Sequence, residues 1–159
     1  MSQIKAFIVT VSDTRTLEND RSGDRLAELL IEAGAGVVGK IIVSDNLDDL
    51  KNTIYVLTER EDINLILTTG GTGFGPRDNT PEATRTVIER EAPGMAEAMR
   101  RETAAKTPLA MLSRGICGIR GDKLIVNLPG SPKGVEECFE VIRPVLQHAI
   151  TLIGGDTAH

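Results

Sequence analysis

Apolar positions recur in two rhythms along this chain. Residues 4–11 are mostly apolar without clean alternation, as expected of a strand buried on both faces. Leu26, Leu29, Leu30 and Ala33 then fall at i, i+3, i+4 and i+7, the stripe of an amphipathic helix, and Gly34 and Gly36 end it. Val37–Val43 predicts a second strand. Asp45 and Asn46 both suit the start of the next helix, in which Leu47, Leu50, Ile54 and Leu57 share a face. Ile63–Thr68 predicts a third strand. The order β-α-β-α-β, with right-handed crossovers, places these strands parallel with helices on both faces.

The second half reads less regularly. Thr80 suits an N-cap with Pro81 at the first helical position, and Ala83, Val87 and Ile88 give that helix its apolar face. Pro93-Gly94 predicts a break, followed by a helix over Met95–Ala104. Gly115–Arg120 and Lys123–Leu128 flank Gly121-Asp122, a hairpin signal. Pro129-Gly130-Ser131-Pro132 reads as a turn. A last helix carries Val135, Cys138, Phe139, Ile142, Val145, Leu146 and Ala149, and Pro144 inside it predicts a kink. The expected fold class is α/β: a three-layer αβα arrangement with a mostly parallel central sheet plus a short hairpin, built as one domain over residues 1–159.

Composition narrows the partners. Aromatic residues make up only 3%, so the core must be aliphatic, which suits a Val/Ile-rich parallel sheet. No apolar run nears the roughly 20 residues that cross a bilayer, so no membrane role is expected. Ile4–Val9 carries Lys5 and reads as a strand, too short for a secretory signal. Cys117 and Cys138 form no disulfide framework and fit a reducing, cytoplasmic setting. His148 and His159 have no partner at ligand spacing. A net charge of −5 without a Lys/Arg stripe argues against nucleic acid. It is compatible with a small anion held by backbone N–H groups.

Three loop regions carry candidate chemistry. The first is Thr68–Asp78, where Gly70, Gly71, Gly73 and Gly75 allow a ligand to approach the backbone and Thr69 and Thr72 add hydroxyls. It follows the third strand at its carboxyl end, where open α/β sheets bind ligands. It lacks the Lys-Ser/Thr of a Walker A motif and the dinucleotide fingerprint. The second is the acidic set Asp13, Asp45 and Asp78, each following a predicted strand. Carboxylates beside phosphates commonly hold Mg²⁺. Caps or turns would account for each alone; the glycine loop favours Asp78 as a ligand and leaves Asp13 and Asp45 open. The third is the pair of turns carrying Ser113, Asn127 and Ser131, which could meet a polar heterocycle, with Arg77, Arg114 and Lys133 as nearby cations. On these residues alone, ordinary turn chemistry and solvated charge are the favoured account. No Ser-His-Asp or Cys-His pair stands out, so catalysis would rest on positioning and charge neutralisation, as in phosphoryl or nucleotidyl transfer.

Taken together, Val11-Ser12-Asp13, Asp20-Arg21-Ser22-Gly23, Thr68-Thr69-Gly70-Gly71-Thr72-Gly73, Pro76-Arg77-Asp78-Asn79-Thr80-Pro81-Glu82-Ala83, Leu112-Ser113-Arg114 and Asn127–Pro132 resemble the molybdopterin-binding family. More narrowly, the chain resembles the molybdopterin adenylyltransferases, the group that includes the G domain of gephyrin and of its plant counterpart, from Val9 to about Ile153. The resemblance implies a mixed, mostly parallel sheet and a homotrimer. It implies Mg²⁺ as cofactor, and ATP and molybdopterin as substrates that yield adenylylated molybdopterin and pyrophosphate. By motif, Asp78 and Asp45 would be the catalytic, metal-associated carboxylates, with Asp48 and Asp49 competing for the second role if the register slips. Gly70, Gly71, Thr72 and Gly73 would hold nucleotide phosphate beside Ser12 and Asp13; Ser113, Asn127, Pro129, Gly130 and Ser131 would line the pterin side. Asn79 replaces a more usual apolar residue at a flanking position. The alternative within the same family is a non-catalytic molybdopterin-binding scaffold. A molybdenum-insertion protein would be the partner downstream; the larger proteins of that kind carry extra domains, for which 159 residues are expected to leave no room.

Overall fold

Buried residues alternate strictly between two cores along the central strands. The computed structural model describes residues 3–156, so the reading of His159 lies outside the described residues. In β1 (Lys5–Val11), Ala6 and Ile8 face one core while Phe7, Val9 and Val11 face the other. β3 (Leu65–Thr69) repeats this, with Leu65 and Leu67 opposite Ile66. A period of two with both sets apolar gives a strand covered on both faces. Six strands run in the order β2-β1-β3-β6-β5-β4, where β2 is Gly36–Val43, β4 Arg90–Glu91, β5 Cys117–Arg120 and β6 Lys123–Leu128. β2, β1, β3 and β6 are parallel; β5 runs antiparallel to both β6 and β4.

Helices cover both faces, giving the expected three layers. α1 (Arg21–Glu32), α4 (Pro93–Ala104) and α5 (Pro132–Ile153) pack on one core through Leu26, Leu30, Met99, Phe139 and Ile142. α2 (Leu47–Thr58) and α3 (Thr80–Val87) close the other through Leu50, Ile54, Ala83 and Val87. The hairpin at Gly121 takes a left-handed φ of 55°, which the glycine permits.

Several boundaries differ from the sequence reading. Asn46, not Asp45, caps α2, its side chain accepting from the Asp49 N–H. Thr80 is the first residue of α3 rather than its cap; Asn79 holds the cap position without a side-chain cap bond. The helix ends at Val87 because Ile88 turns extended, and the chain then adds the short strand β4. Glu89 and Ala92 donate backbone bonds to Ile119 and Cys117, so tertiary pairing ends the helix before Pro93 can. Pro93 itself opens α4. A 3-10 turn over Pro108–Leu112 was not expected. α5 is one continuous helix through Pro144.

The start of α1 is fastened unusually deep. Asp20 is 0% exposed, yet it caps the helix through the Gly23 N–H at 3.1 Å. It also accepts the Thr10 hydroxyl at 2.7 Å and faces Lys40 Nζ at 3.5 Å. This ties α1 to β1 and β2 next to the loop that follows β1. An ordinary N-cap contributes about 1 kcal/mol. Breaking a buried, paired carboxylate costs roughly 3–5 kcal/mol. Asp20→Ala should therefore lower the unfolding free energy by about 3 kcal/mol in urea titration; a loss of about 1 kcal/mol or less would mean that Asp20 is only a cap.

Candidate active site

The carboxyl ends of β1, β3 and β6 lie side by side, so their following loops meet at one sheet edge. The loop after β3 is forced into a narrow bend there. Gly70 has φ 102° and Gly71 φ 68°. A Cβ on Gly70 would sit 2.5 Å from the Val11 carbonyl, and one on Gly71 would overlap the Thr80 hydroxyl. Both positions combine left-handed backbone with no room, so only glycine fits.

Three side chains hold this loop from behind. Thr80 donates its hydroxyl to the Gly70 carbonyl at 2.8 Å, and its N–H bonds the Gly71 carbonyl. Asp78 Oδ2 accepts the Gly75 N–H at 2.8 Å. Arg114 spans the loop, donating to the carbonyls of Gly73 at 2.8 Å and Asp78 at 2.7 Å and pairing with Glu82. Arg114 is therefore spent on the loop rather than free to meet a ligand. Asp78 keeps Oδ1 without a hydrogen bond among the described residues.

The loop after β6 forms the opposite wall. Gly130 packs against Gly70 so closely that an added Cβ would lie 3.3 Å from the Gly70 Cα. The Pro129 carbonyl accepts the Thr69 hydroxyl at 2.6 Å, and the Gly130 carbonyl accepts Arg15 at 2.9 Å. Ser131 caps α5 by accepting the Gly134 N–H. Between the walls lies a cleft of about 490 Å³, bounded by Gly71, Thr72, Gly73 and Asp78 on one side and Pro129, Gly130 and Ser131 on the other. Ser113 and the 3-10 turn close its end. The Cys138 thiol also lines it, but burial pushes its pKa up to about 11, so it offers no thiolate nucleophile near neutral pH.

Four expected site residues, Asn127, Ser12, Asp13 and Asp45, stand apart from this wall. Asn127 is 2% exposed and sits behind it: its amide donates to Thr68 and Thr84 at 3.0 Å each, and its Oδ1 accepts the Ile116 N–H. Both of its donor hydrogens are already used inside the protein. Ser12 folds its hydroxyl back onto the N–H groups of Thr14 and Arg15, shaping the turn after β1.

Asp13 and Asp45 meet each other next to the glycine loop. Asp13 pairs with Arg77 through two bonds, at 2.8 and 3.1 Å, and accepts the Asp45 N–H at 3.0 Å. The Arg77 guanidinium and then the Asp45 N–H hold its carboxyl below the usual carboxylate range. Asp45 is pushed the other way, first by burial and then by the charge of Asp13. Asn79 donates to the Asp45 carbonyl at 2.9 Å, tying the loop after β2 to the start of α3. A polar residue at position 79 thus has a physical role that the sequence did not reveal.

Among the described residues no three acidic, His or Cys side chains gather closely enough to form a metal cage. Mg²⁺ needs less than that. It keeps several waters and takes one or two carboxylates together with substrate phosphates. Asp78 fits this mode, since it lines the cleft and its Oδ1 has no hydrogen bond among the described residues; Asp45 lies off the cleft wall as a partly buried carboxylate beside the Asp13–Arg77 pair.

The chain is an αβα domain with a glycine-walled, aspartate-bearing cleft at the carboxyl ends of its parallel strands, the place where open α/β sheets bind ligands. The family model described as "Probable molybdopterin binding domain" matches residues 7–148, and the chain belongs to that family. It is similar to the molybdenum cofactor synthesis protein cinnamon of Drosophila melanogaster, 46% identical over 99% of this chain, which spans only 27% of the length of that protein. It is also similar to a protein named molybdopterin adenylyltransferase in Helicobacter pylori, 36% identical over 98% of this chain and 91% of that protein. Among solved structures, the molybdopterin biosynthesis enzyme MoaB of Thermus thermophilus superposes with a TM-score of 0.88 at 44% identity, covering 96% of this chain and 98% of that one. No helix among the described residues is long and apolar enough to cross a membrane.

The opposed environments of Asp13 and Asp45 give a pH prediction. Folding raises the Asp45 pKa, so its ionised form costs stability above that value, and the cost fades as the pH falls and the group protonates. Asp45→Asn should melt at the same or a higher temperature than wild type at pH 7, with any gain shrinking toward about pH 4. A clear drop in melting temperature at pH 7 would contradict the strain assigned to Asp45.

Proposed function

We propose that this chain adenylylates molybdopterin with Mg-ATP, releasing pyrophosphate in molybdenum cofactor synthesis. The observation that carries the proposal is the two-walled cleft: Asp78 and the backbone of Gly71–Gly73 on one wall, and the Pro129–Ser131 turn at the start of α5 on the other. Its support from likeness is the Helicobacter pylori relative bearing that activity in its name.

A terminal phosphate oxygen of molybdopterin attacks the α-phosphorus of ATP. The new P–O bond forms as the bond from the α-phosphorus to the α–β bridging oxygen breaks, and pyrophosphate leaves with that electron pair. The nucleophile comes from the substrate, in keeping with a cleft whose one thiol is protonated. The protein supplies placement and charge. Backbone N–H groups of the glycine loop and of the α5 start bind phosphate oxygens and bring two anions together. Positioning of this kind can contribute several kcal/mol to a bimolecular step. Asp78 and Asp45 would hold Mg²⁺, which when bound neutralises charge on the departing pyrophosphate. Thr80, Arg114 and Asn127 keep the loop in shape without touching substrate. We assign the chain a homotrimeric, cytoplasmic state acting as one domain, with a molybdenum-insertion protein receiving the product; a sedimentation mass of a monomer would sink the trimer.

Purified protein mixed with molybdopterin, ATP and Mg²⁺ should release pyrophosphate. Molybdopterin binding without any turnover would favour the scaffold reading instead. Asp78→Asn keeps an oxygen that can accept from Gly75 but removes the charge. It should lower kcat about 100- to 1,000-fold, the range for losing one preorganised electrostatic group, with melting temperature and molybdopterin affinity little changed. Retained turnover would remove Asp78 from the chemistry.

A further inference from the structure

The glycine loop and the α5 start account for phosphates but leave the heterocycles unread. Asn127, expected on the pterin side, spends both amide hydrogens on Thr68 and Thr84. Ser113 accepts the Gly115 N–H and Ser131 the Gly134 N–H; each keeps a hydroxyl proton to donate but offers only a single oxygen, not the paired acceptors that two adjacent ring N–H groups need. The cleft wall holds a second carboxylate besides Asp78, namely Glu137. It lies six residues beyond Ser131 on α5, about 9 Å along the helix axis at 1.5 Å per residue. That offset suits a ligand with a phosphate at one end and a ring at the other.

The surroundings of Glu137 are those of a reader rather than of a surface charge. Its side chain is only 14% exposed. Its ion-pair partner is Lys133 at 3.9 Å, whose own side chain is 86% exposed, so the pair is long and weakly held. Facing residues supply what a flat ring needs. Leu109 and Leu112 are apolar, largely uncovered and on the cleft wall. Thr107, also on the wall, accepts the Leu109 N–H through Oγ1 and keeps its hydroxyl proton to donate.

We propose that Glu137 is the specificity-determining residue for the pterin ring. A 2-amino-4-oxo pyrimidine edge presents two parallel donors, N2–H and N3–H, which match the two oxygens of one carboxylate. Adenine presents a lone pair at N1 next to its amino group, which a carboxylate repels. The same side chain therefore attracts one substrate ring and turns away the other, so that each lies in its own half of the cleft. Thr107 donates to the 4-oxo oxygen. This assignment rests on the adenylyltransferase reading for its substrate.

Two measurements test it. In the first, pyrophosphate release is followed while molybdopterin and ATP are varied separately. Glu137→Gln should raise KM for molybdopterin about 10- to 100-fold, the loss of a charge-assisted hydrogen-bond pair, with kcat and KM for ATP near wild type. In the second, the protein is titrated with 6-hydroxymethylpterin and with 6-hydroxymethyllumazine, which carries an oxo group in place of the 2-amino group. Wild type should prefer the pterin, and Glu137→Gln should lose most of that preference. An unchanged KM for molybdopterin, or no preference for pterin over lumazine in wild type, would overturn the proposal. Wild-type protein that discriminates the two rings but releases no pyrophosphate would refute the enzyme reading while upholding Glu137.

Discussion

Everything at the sheet edge depends on the contact between two glycine turns. Gly70 and Gly71 hold left-handed backbone pressed against Val11 and Thr80, and Gly130 rests on the Gly70 Cα. A side chain at these points would push the loops after β1, β3 and β6 apart. Because none is present, the loops converge, and a cleft about 490 Å³ in volume remains where they part. The glycine backbone that lines it is set in place by packing rather than by side-chain rotamers. Backbone N–H groups held this way are how the proposed site would accept anions on a chain of net charge −5.

Charge at the site is arranged in layers. Guanidinium groups lie behind the loops: Arg114 clamps the glycine turn, Arg77 neutralises Asp13, and Arg15 holds the Gly130 carbonyl. Carboxylates face inward or stand compressed, with Asp78 on the cleft and Asp45 desolvated beside Asp13. The cationic groups thus fix geometry, and Asp78 is left on the cleft wall without a cationic partner. Strain of this kind at a site costs stability that the rest of the fold must supply. The two aliphatic cores on either side of the sheet, and the buried Asp20 anchor, supply it.

The layers of the fold were legible because they depend on local periodicity. Strands buried on both faces and striped helices announce themselves within a dozen residues, and the glycine loop lay in plain view after β3. What escaped depends on contacts between distant segments. β4 exists because Glu89 and Ala92 bond to the backbone of β5, and no local signal marks that pairing. Thr80 looked like a helix cap, since Thr before Pro usually is; its hydroxyl instead locks Gly70, ten residues earlier. Asn127 reads in the sequence as a turn residue, on the pterin side by motif, yet it satisfies Thr68, Thr84 and Ile116 inside the core. Asn79 looked incidental and turns out to hold the Asp45 loop. Glu137 is one acid among several in a helix and so resembles solvated surface in the sequence; its burial and its position on the cleft wall separate it from the exposed Glu136 and Glu140.

In the proposed reaction, transfer runs directly between two bound substrates across the meeting point of the two glycine turns. It is tested most directly with ATP labelled at the α-phosphate, supplied with molybdopterin and Mg²⁺. The label should appear in the pterin product in step with pyrophosphate release, and none should stay on the denatured protein. Label retained covalently on the protein, or no transfer to the pterin, would contradict the account.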